Sequence, residues 1–236
     1  RRQAQISRMK DLNAIRGYRY ISELVARGED ETQDFKLTVN DARKIARTVS
    51  AFANNAGGHL LIGVKDNGAI AGIRSEEDIF VVEQAAQCYC EPPQPVDFTA
   101  YRAGDADSDR PGAKASVVIR AYIAPSSSRP VMAIEADGKR QAYFRVADEN
   151  IAAHPLMVQA WRREADNNGG RIYSVGDVGI HGAIIDIVSD GVTTPSAIAL
   201  TTHTSQRSAN DAIVDLLVAG ALRFVYDGSM WRLHTP

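Results

Sequence analysis

The chain has 236 residues, a formal net charge of −2 and a hydrophobic content of 44%. That length predicts one domain or two with a proper core, and the nearly balanced charge excludes a global attraction to nucleic acids or membranes. No apolar run in the sequence approaches the roughly 20 residues that a membrane span needs, and no signal peptide is found.

Cys88 and Cys90 are too close for an ordinary disulfide, so we expect free thiols and a reducing cytoplasm. Because the chain begins with Arg1, we expect it to be part of a longer protein.

The N-terminal segment contains a predicted helix and then an acidic cluster. Apolar residues at helical spacing predict the helix over residues 9–26, and it ends at Arg27 and Gly28. Residues 32–39 have the pattern of a strand. The acidic residues around its start are Glu29, Asp30, Glu31 and Asp34. Taken alone, this cluster is typical of a solvated loop or helix end.

An amphipathic helix is predicted over residues 40–54, with Asn40 as its N-cap. Apolar residues three and four positions apart form its buried stripe, and the Asn and Gly residues at 54–58 end it. Its exposed side carries three cations, Arg43, Lys44 and Arg47. This patch has two interpretations, a contact with phosphates or a solvated helix face.

The rest of the N-terminal region alternates predicted strands and helices. A buried strand at 59–64 leads through a turn at Asp66, Asn67 and Gly68 into a strand at 69–73. A helix capped by Ser75 follows, and then strands at 96–102, 115–123, 131–136 and 142–146 and a helix from 154 or 155 to 164. Residues 104–112, rich in Asp and Gly, predict an exposed loop. His59 is either an acid or base of a site or a structural histidine.

The order of motifs between residues 28 and 72 resembles the Schlafen AlbA-type domain, a nucleic-acid-binding domain of bacterial regulators and of animal Schlafen proteins. The motifs are Gly-Glu-x-x-x-x-acidic-Phe-Lys at 28–36, Ser-Ala-Phe-Ala-Asn at 50–54, Gly-Gly at 57–58, and Gly-Val-x-Asp-x-Gly at 63–68 with Gly72. The resemblance covers roughly residues 20–150 and implies an α+β fold of mixed sheet and helices. It also implies self-association, because Schlafen cores pair two related lobes and this chain has one.

The resemblance further implies a metal site. In Schlafen nucleases, two acidic residues five positions apart and an Asp in the later turn bind a divalent metal and cut RNA. Those positions are Glu29, Asp34 and Asp66 here, and Asp34 stands where much of the family has Glu. Carboxylate oxygens are the ligands that Mg²⁺ or Mn²⁺ requires. The candidate phosphate contacts nearest to this cluster are Lys36, Arg43, Lys44, Arg47 and Lys65.

Beyond a linker at residues 166–170, the chain has the element order of a winged-helix domain. Helices are predicted at 182–188, at 195–201 with a Thr194 cap, and at 206–219 with a Ser205 cap. Two short strands at 222–226 and 230–234 complete the pattern. If the third helix enters a major groove, its polar residues Ser205, Gln206, Arg207 and Asn210 are of suitable types.

The charge of this lobe opposes DNA binding. Residues 167–236 contain four arginines and no lysine against six aspartates, among them Asp211 and Asp215. Because affinity for DNA comes mainly from cations, a role in dimerisation or protein contact is an equal alternative.

The sequence therefore predicts an α+β protein with a Schlafen AlbA-like domain at residues 1–165, the linker, and a winged-helix-like domain at 171–236. We expect a cytoplasmic, bacterial, homodimeric nucleic-acid-binding protein that acts on DNA or RNA as a transcriptional regulator, with no membrane partner. The alternatives are a Mg²⁺- or Mn²⁺-dependent nuclease that uses Glu29, Asp34 and Asp66, and a protein-interaction scaffold.

Overall fold

The computed structural model describes residues 13–103, 116–166 and 179–236. They form two compact units with an α+β fold, as the sequence predicts. The N-terminal unit runs to residue 127 and includes 131–152, and the C-terminal unit comprises 128–130 and 153–236. The helix at 155–166 thus belongs to the C-terminal unit, whereas the sequence-based boundary at residue 165 assigned it to the first domain. The predicted loop at 104–112 and nearly all of the linker at 166–170 lie outside the described residues.

The N-terminal unit contains two sheets. In chain order its elements are β1 (Ile15–Arg16), α1 (Tyr18–Arg27), β2 (Gln33–Lys36), α2 (Ala42–Asn54), β3 (Gly58–Ile62), α3 (Glu77–Cys88), β4 (Cys90–Glu91), β5 (Asp97–Arg102), β6 (Val117–Ile123), β7 (Met132–Ile134), β8 (Arg140–Val146) and β9 (Glu149–Ala152). One sheet is mixed, with the order β1-β5-β6-β3-β2, and β2 pairs in parallel with β3. The other is antiparallel, with the order β4-β7-β8-β9.

Three early predictions are wrong in detail. The predicted helix at 9–26 covers only Tyr18–Arg27 within the described residues, because Ile15 and Arg16 pair as a strand with β5. Ile15 has the spacing of a helical residue, but its pairing with the distant strand β5 places it in a sheet. The N-cap of α2 is Asp41 and not Asn40, since the Asp41 carboxylate accepts hydrogen bonds from the amides of Arg43 and Lys44. The predicted strand at 69–73 is reduced to a single bridge, between Val64 and Ile70.

The mixed sheet is covered on both faces. Successive residues of β3 point to opposite sides, so Leu60 and Ile62 pack in a core with α2 and α3, while Leu61 packs in a second core with α1. In α2, nine of thirteen residues are buried, and three of them are polar: Thr48, Ser50 and Asn54. A helix buried so extensively needs hydrogen-bond partners for those polar groups.

Ser50 and Asn54 find these partners on the antiparallel sheet. The Asn54 side chain donates to the carbonyls of Val131 and Tyr143 at 2.8 and 2.9 Å and accepts from the Val131 amide at 2.8 Å. Ser50 Oγ donates to the Val131 carbonyl and accepts from the Tyr143 amide. Phe52 lies between these two polar residues in sequence and is fully buried. The Ser-Ala-Phe-Ala-Asn motif therefore joins α2 to both sheets.

Two of the motif glycines permit close backbone approach. A Cβ on Gly58 would lie 2.6 Å from the Phe52 ring. Gly63 has a φ of +96°, and a Cβ there would lie 2.7 Å from the backbone of Gly72, whose amide donates to the Gly63 carbonyl at 2.9 Å. The spacing of these glycines thus reflects a loop that folds back on the end of β3.

The C-terminal unit contains four helices and a hairpin within its described residues. They are α4 (Pro155–Asp166), α5 (Ile180–Ser189), α6 (Pro195–Thr201), α7 (Gln206–Val218), β10 (Arg223–Tyr226) and β11 (Trp231–His234). Thr194 and Ser205 cap α6 and α7 as predicted. The core draws on every helix and on β11, through Leu156, Ala160, Ile184, Ile198, Ile213, Leu216 and Leu233.

Candidate nucleic-acid interface

A buried ion pair links β2 to β8 in the N-terminal unit. Arg145 Nη2 lies 3.2 Å from Asp34 Oδ1, and the two side chains are 1% and 6% exposed. The same guanidinium donates to the carbonyls of Asp30 and Gln33 and to Asn150 Oδ1, and it lies over the Phe52 ring. With four hydrogen bonds to protein groups and almost no exposure, Arg145 has a structural role.

A groove of about 550 Å³ opens beside this pair. Its walls come from β2, α2, β8 and β9, and they combine cations, carboxylates and neutral polar groups. The lining residues are Asp34, Lys36, Lys44, Ile45, Arg47, Thr48, Tyr143, Arg145, Asp148, Glu149, Asn150 and Ile151. The structure thus brings three of the predicted phosphate contacts, Lys36, Lys44 and Arg47, to one groove.

Two of these three cations already have carboxylate partners. Lys36 Nζ lies 2.8 Å from Asp34 Oδ2. Arg47 forms a two-bond pair with Glu135, with Nε 3.0 Å from Oε1, and this pair raises the pKa of Arg47 and lowers that of Glu135. Tyr143 donates to Glu135 at 2.6 Å, and burial together with that bond raises its pKa to about 12.

Lys44 is different. Its side chain is exposed on the rim of the groove, and no hydrogen bond or ion pair of its ammonium group is found among the described residues. It therefore offers an available positive charge.

Arg43 does not line the groove. Its guanidinium donates to the carbonyls of Ile134 and Glu135 and stacks on the Tyr89 ring at 4.4 Å. Those contacts assign it to the junction between α2 and the antiparallel sheet. Lys65 is exposed in the turn after β3 and is likewise absent from the groove lining.

Two carboxylates at the β8–β9 turn also line the groove. Asp148 and Glu149 are exposed, and no ion pair of either is found among the described residues. The next residue, Asn150, donates to Thr48 Oγ1 at 2.9 Å and accepts from Arg145 at 3.0 Å. The turn is therefore fixed against α2.

Of the three acidic residues of the predicted metal site, Glu29 and Asp34 interact through their carboxyl groups, whereas Asp66 lies in a separate turn. Glu29 accepts a hydrogen bond from the Phe35 amide at 2.7 Å, on the open edge of β2. Burial raises its pKa, and the nearby Asp34 carboxyl contributes in the same direction. Asp66 is exposed in a turn, where the neighbouring Gly68 approaches Val25 of α1.

A divalent metal does not fit these three residues as they are arranged. The Asp34 carboxylate already forms ion pairs with Arg145 and Lys36. The Glu29 carboxyl already accepts a hydrogen bond from the Phe35 amide of β2. No group of three His, Cys, Asp or Glu side chains that could hold a metal ion occurs within residues 13–103, 116–166 and 179–236.

His59 has the surroundings of a structural residue. Arg120 Nη2 lies 3.3 Å from its Nδ1, and its side chain does not line the groove. Burial and the positive charges of Arg120 and Arg27 lower its pKa to about 4. Such an imidazole is neutral near pH 7.

In the C-terminal unit, the predicted contacts cluster at the start of α7. Ser205 Oγ caps the helix by accepting from the Ser208 amide, and Gln206 donates to Asn210 at 2.8 Å. Gln206 and Arg207 are exposed and Asn210 is half-buried. These four side chains thus share one end of one helix.

The negative charge of Asp215 is taken up by partners within the C-terminal unit, so it is not available to repel DNA phosphates. Its carboxylate pairs with Arg163 of α4 and lies 3.2 Å from His181 Nε2 of α5. It belongs to the packing between the helices of this unit, whereas Asp211 is exposed.

Comparison with known proteins supports the N-terminal assignment. The family model described as Schlafen, AlbA_2 matches residues 29–154, more than half of the chain. Among solved structures, the crystal structure of the DIP2311 protein from Corynebacterium diphtheriae is similar, with 20% sequence identity and a TM-score of 0.38. That match covers 56% of this chain and 24% of the other, so this chain spans about a quarter of the length of that protein.

The comparison with curated proteins finds no significant match. Among the helices of the described ranges, none has the length and apolar character needed to cross a membrane.

Proposed function

The chain belongs to the Schlafen AlbA_2 family, and on this basis we propose that it is a nucleic-acid-binding protein that acts as a transcriptional regulator. The observation that carries the proposal is the exposed ammonium group of Lys44 at the groove, for which no ion pair is found within the described parts of the chain. A phosphate placed there gains a cation without breaking an existing ion pair. Lys36 and Arg47 add to the local positive potential, although each is partly neutralised.

The C-terminal unit supports the regulatory part of the proposal. Its three successive helices α5, α6 and α7 lead into a hairpin, the order of a winged-helix domain. The Leu233 amide donates to the Thr193 carbonyl at 2.8 Å, which joins the hairpin to the segment between α5 and α6. In this proposal the start of α7 contacts DNA through Ser205, Gln206, Arg207 and Asn210.

The protein is further proposed to act in the cytoplasm as a homodimer. Cys88 and Cys90 are free thiols, which suits a reducing compartment. The dimer is proposed from the family resemblance, because Schlafen cores pair two related lobes.

The test is a binding measurement across substrates and salt. Fluorescence anisotropy of labelled single-stranded DNA, single-stranded RNA and duplex DNA with the full chain should show binding that weakens linearly in log Kd against log salt concentration. Absence of binding at 50 mM salt to all three would overturn the proposal and favour the protein-interaction scaffold.

A nuclease is the second candidate, and one observation favours it. The Glu29 carboxyl interacts with that of Asp34, so two of the three family positions meet. Incubation of the same substrates with Mn²⁺ or with EDTA decides the matter. Mn²⁺-dependent cleavage that is lost in Asp66→Ala would establish the nuclease, whereas intact, bound nucleic acid under both conditions supports the binding protein.

A further inference from the structure

We propose that the groove takes an unpaired nucleotide and that Asp148 and Glu149 select bases that carry an exocyclic amino group. The inference rests on the proposed function and names the substrate class of the same site. It starts from the charges in the groove that remain after the internal pairs are set aside. Within the described lining, the charged groups for which no ion pair is found are the ammonium of Lys44 on α2 and the carboxylates of Asp148 and Glu149 at the β8–β9 turn.

This combination does not suit a site that follows phosphates alone. Two available carboxylates would repel a continuous phosphodiester backbone, and a backbone-tracking groove carries cations along its length. A ligand with a phosphate at one end and N–H donors at the other satisfies both Lys44 and the two carboxylates. A nucleotide has that distribution, and a volume of about 550 Å³ lies within the range of small-molecule sites.

Hydrogen bonds fix α2 and the β8–β9 turn relative to each other. Lys44 and Thr48 are four residues apart in α2 and therefore share a face. Thr48 accepts a hydrogen bond from Asn150, the residue that follows the two carboxylates. Asn150 is held in turn by the buried Arg145. The helix that carries Lys44 and the turn that carries the two carboxylates are thus joined by the hydrogen bonds of Asn150 to Thr48 and Arg145.

The chemistry of the carboxylates sets the base preference. Aspartate and glutamate only accept hydrogen bonds when ionised, so they favour the amino groups of cytosine and adenine and the N1–H and N2–H₂ edge of guanine. Thymine and uracil present one N–H between two carbonyl oxygens, which carboxylates repel. In a duplex the Watson–Crick edges are occupied, so the groove should discriminate against double strands.

The experiment compares labelled dA12, dC12 and dT12 and a 12-base-pair duplex by anisotropy with the full chain at 50 mM salt. We expect dA12 and dC12 to bind about tenfold more tightly than dT12. The order is diagnostic, because a groove that reads backbone alone gives similar affinities or favours the flexible dT12.

The double variant Asp148→Ala with Glu149→Ala should lose that preference and bind dT12 at least as tightly as the unmodified protein. The control Glu76→Ala with Glu77→Ala makes the same charge change at two exposed residues outside the groove and should keep the preference. Binding without base preference in the unmodified protein, or an unchanged preference in the double variant, overturns this inference and leaves the proposed function standing. Absence of any binding overturns both.

Discussion

Asp34 on β2 and Arg145 on β8 form an ion pair at 3.2 Å that is almost completely withdrawn from solvent. The pair lies at the open edge of the mixed sheet, where Glu29 and Arg145 also satisfy the backbone groups of Phe35 and Gln33. A strand edge covered by charged side chains is protected from pairing with other strands. Two acidic residues of the predicted metal site therefore serve the fold in this arrangement.

Replacing Arg145 by alanine should destabilise the protein by about 3–5 kcal/mol, because it removes a buried, hydrogen-bonded guanidinium and leaves Lys36 as the one ion-pair partner of the buried Asp34 carboxylate among the described residues. Urea denaturation followed by circular dichroism measures the change. Arg140→Ala is the matched control: it lies on the same strand, but its pair with Glu91 is exposed, so the loss should stay below about 1 kcal/mol. Equal stability of the two variants would contradict the structural role of the pair.

Asn54→Ala should cost roughly 2–4 kcal/mol, since it removes the partners of the Val131 amide and the Tyr143 carbonyl and one of the two donors to the Val131 carbonyl. The control is Asn67→Ala, in an exposed turn where the side chain accepts one local bond. A loss at Asn54 no larger than at Asn67 would show that the motif does not join helix and sheet as described.

Much of the N-terminal fold can be predicted from local pattern. The buried stripe of α2 follows from apolar spacing, and the motif glycines mark where Gly58 meets Phe52 and Gly63 meets Gly72. These features depend on residues that are close in sequence, so a short stretch of sequence is enough to predict them.

The pairing of charges cannot be predicted in that way. Arg145 is one cation in a predicted strand, and only the approach of Asp34, 111 residues away, makes it a buried partner. Arg47 was predicted to contact phosphate, but Glu135 lies 88 residues away in sequence and neutralises it. The hydrogen bond between Asn150 and Thr48 could not be predicted either. Each is an ordinary polar residue in the sequence, and only the fold brings the β8–β9 turn against α2.

The pH dependence of stability should carry a contribution from His59. Its imidazole has a pKa of about 4 in the folded chain against 6.5 ordinarily, so the unfolded chain binds more protons between these values. The contribution is fully present above pH 6.5 and is lost as the pH falls through about 4. His59→Gln keeps an acceptor for Arg120 and should flatten the profile in that window. A His59 pKa between 6 and 7 by NMR would contradict the assignment.

Arg207→Ala should weaken binding to duplex DNA and reduce the slope of log Kd against log salt by about one, if α7 contacts phosphates. Lys139→Ala, on an exposed turn of the N-terminal unit, is the control and should leave the slope unchanged. An unchanged slope in Arg207→Ala would remove α7 from the interface and favour a role of this unit in protein contact.

The most direct test of nucleic-acid binding by the groove is the affinity of Lys44→Ala for single-stranded DNA as salt is raised. The unpaired ammonium predicts a loss of about three- to tenfold at 50 mM salt and a salt slope lower by about 0.7, the value for one phosphate contact to a single strand. Lys139→Ala, which removes the same charge from an exposed side chain outside the groove, should bind like the unmodified protein. Equal affinity and slope in Lys44→Ala and Lys139→Ala would contradict the account.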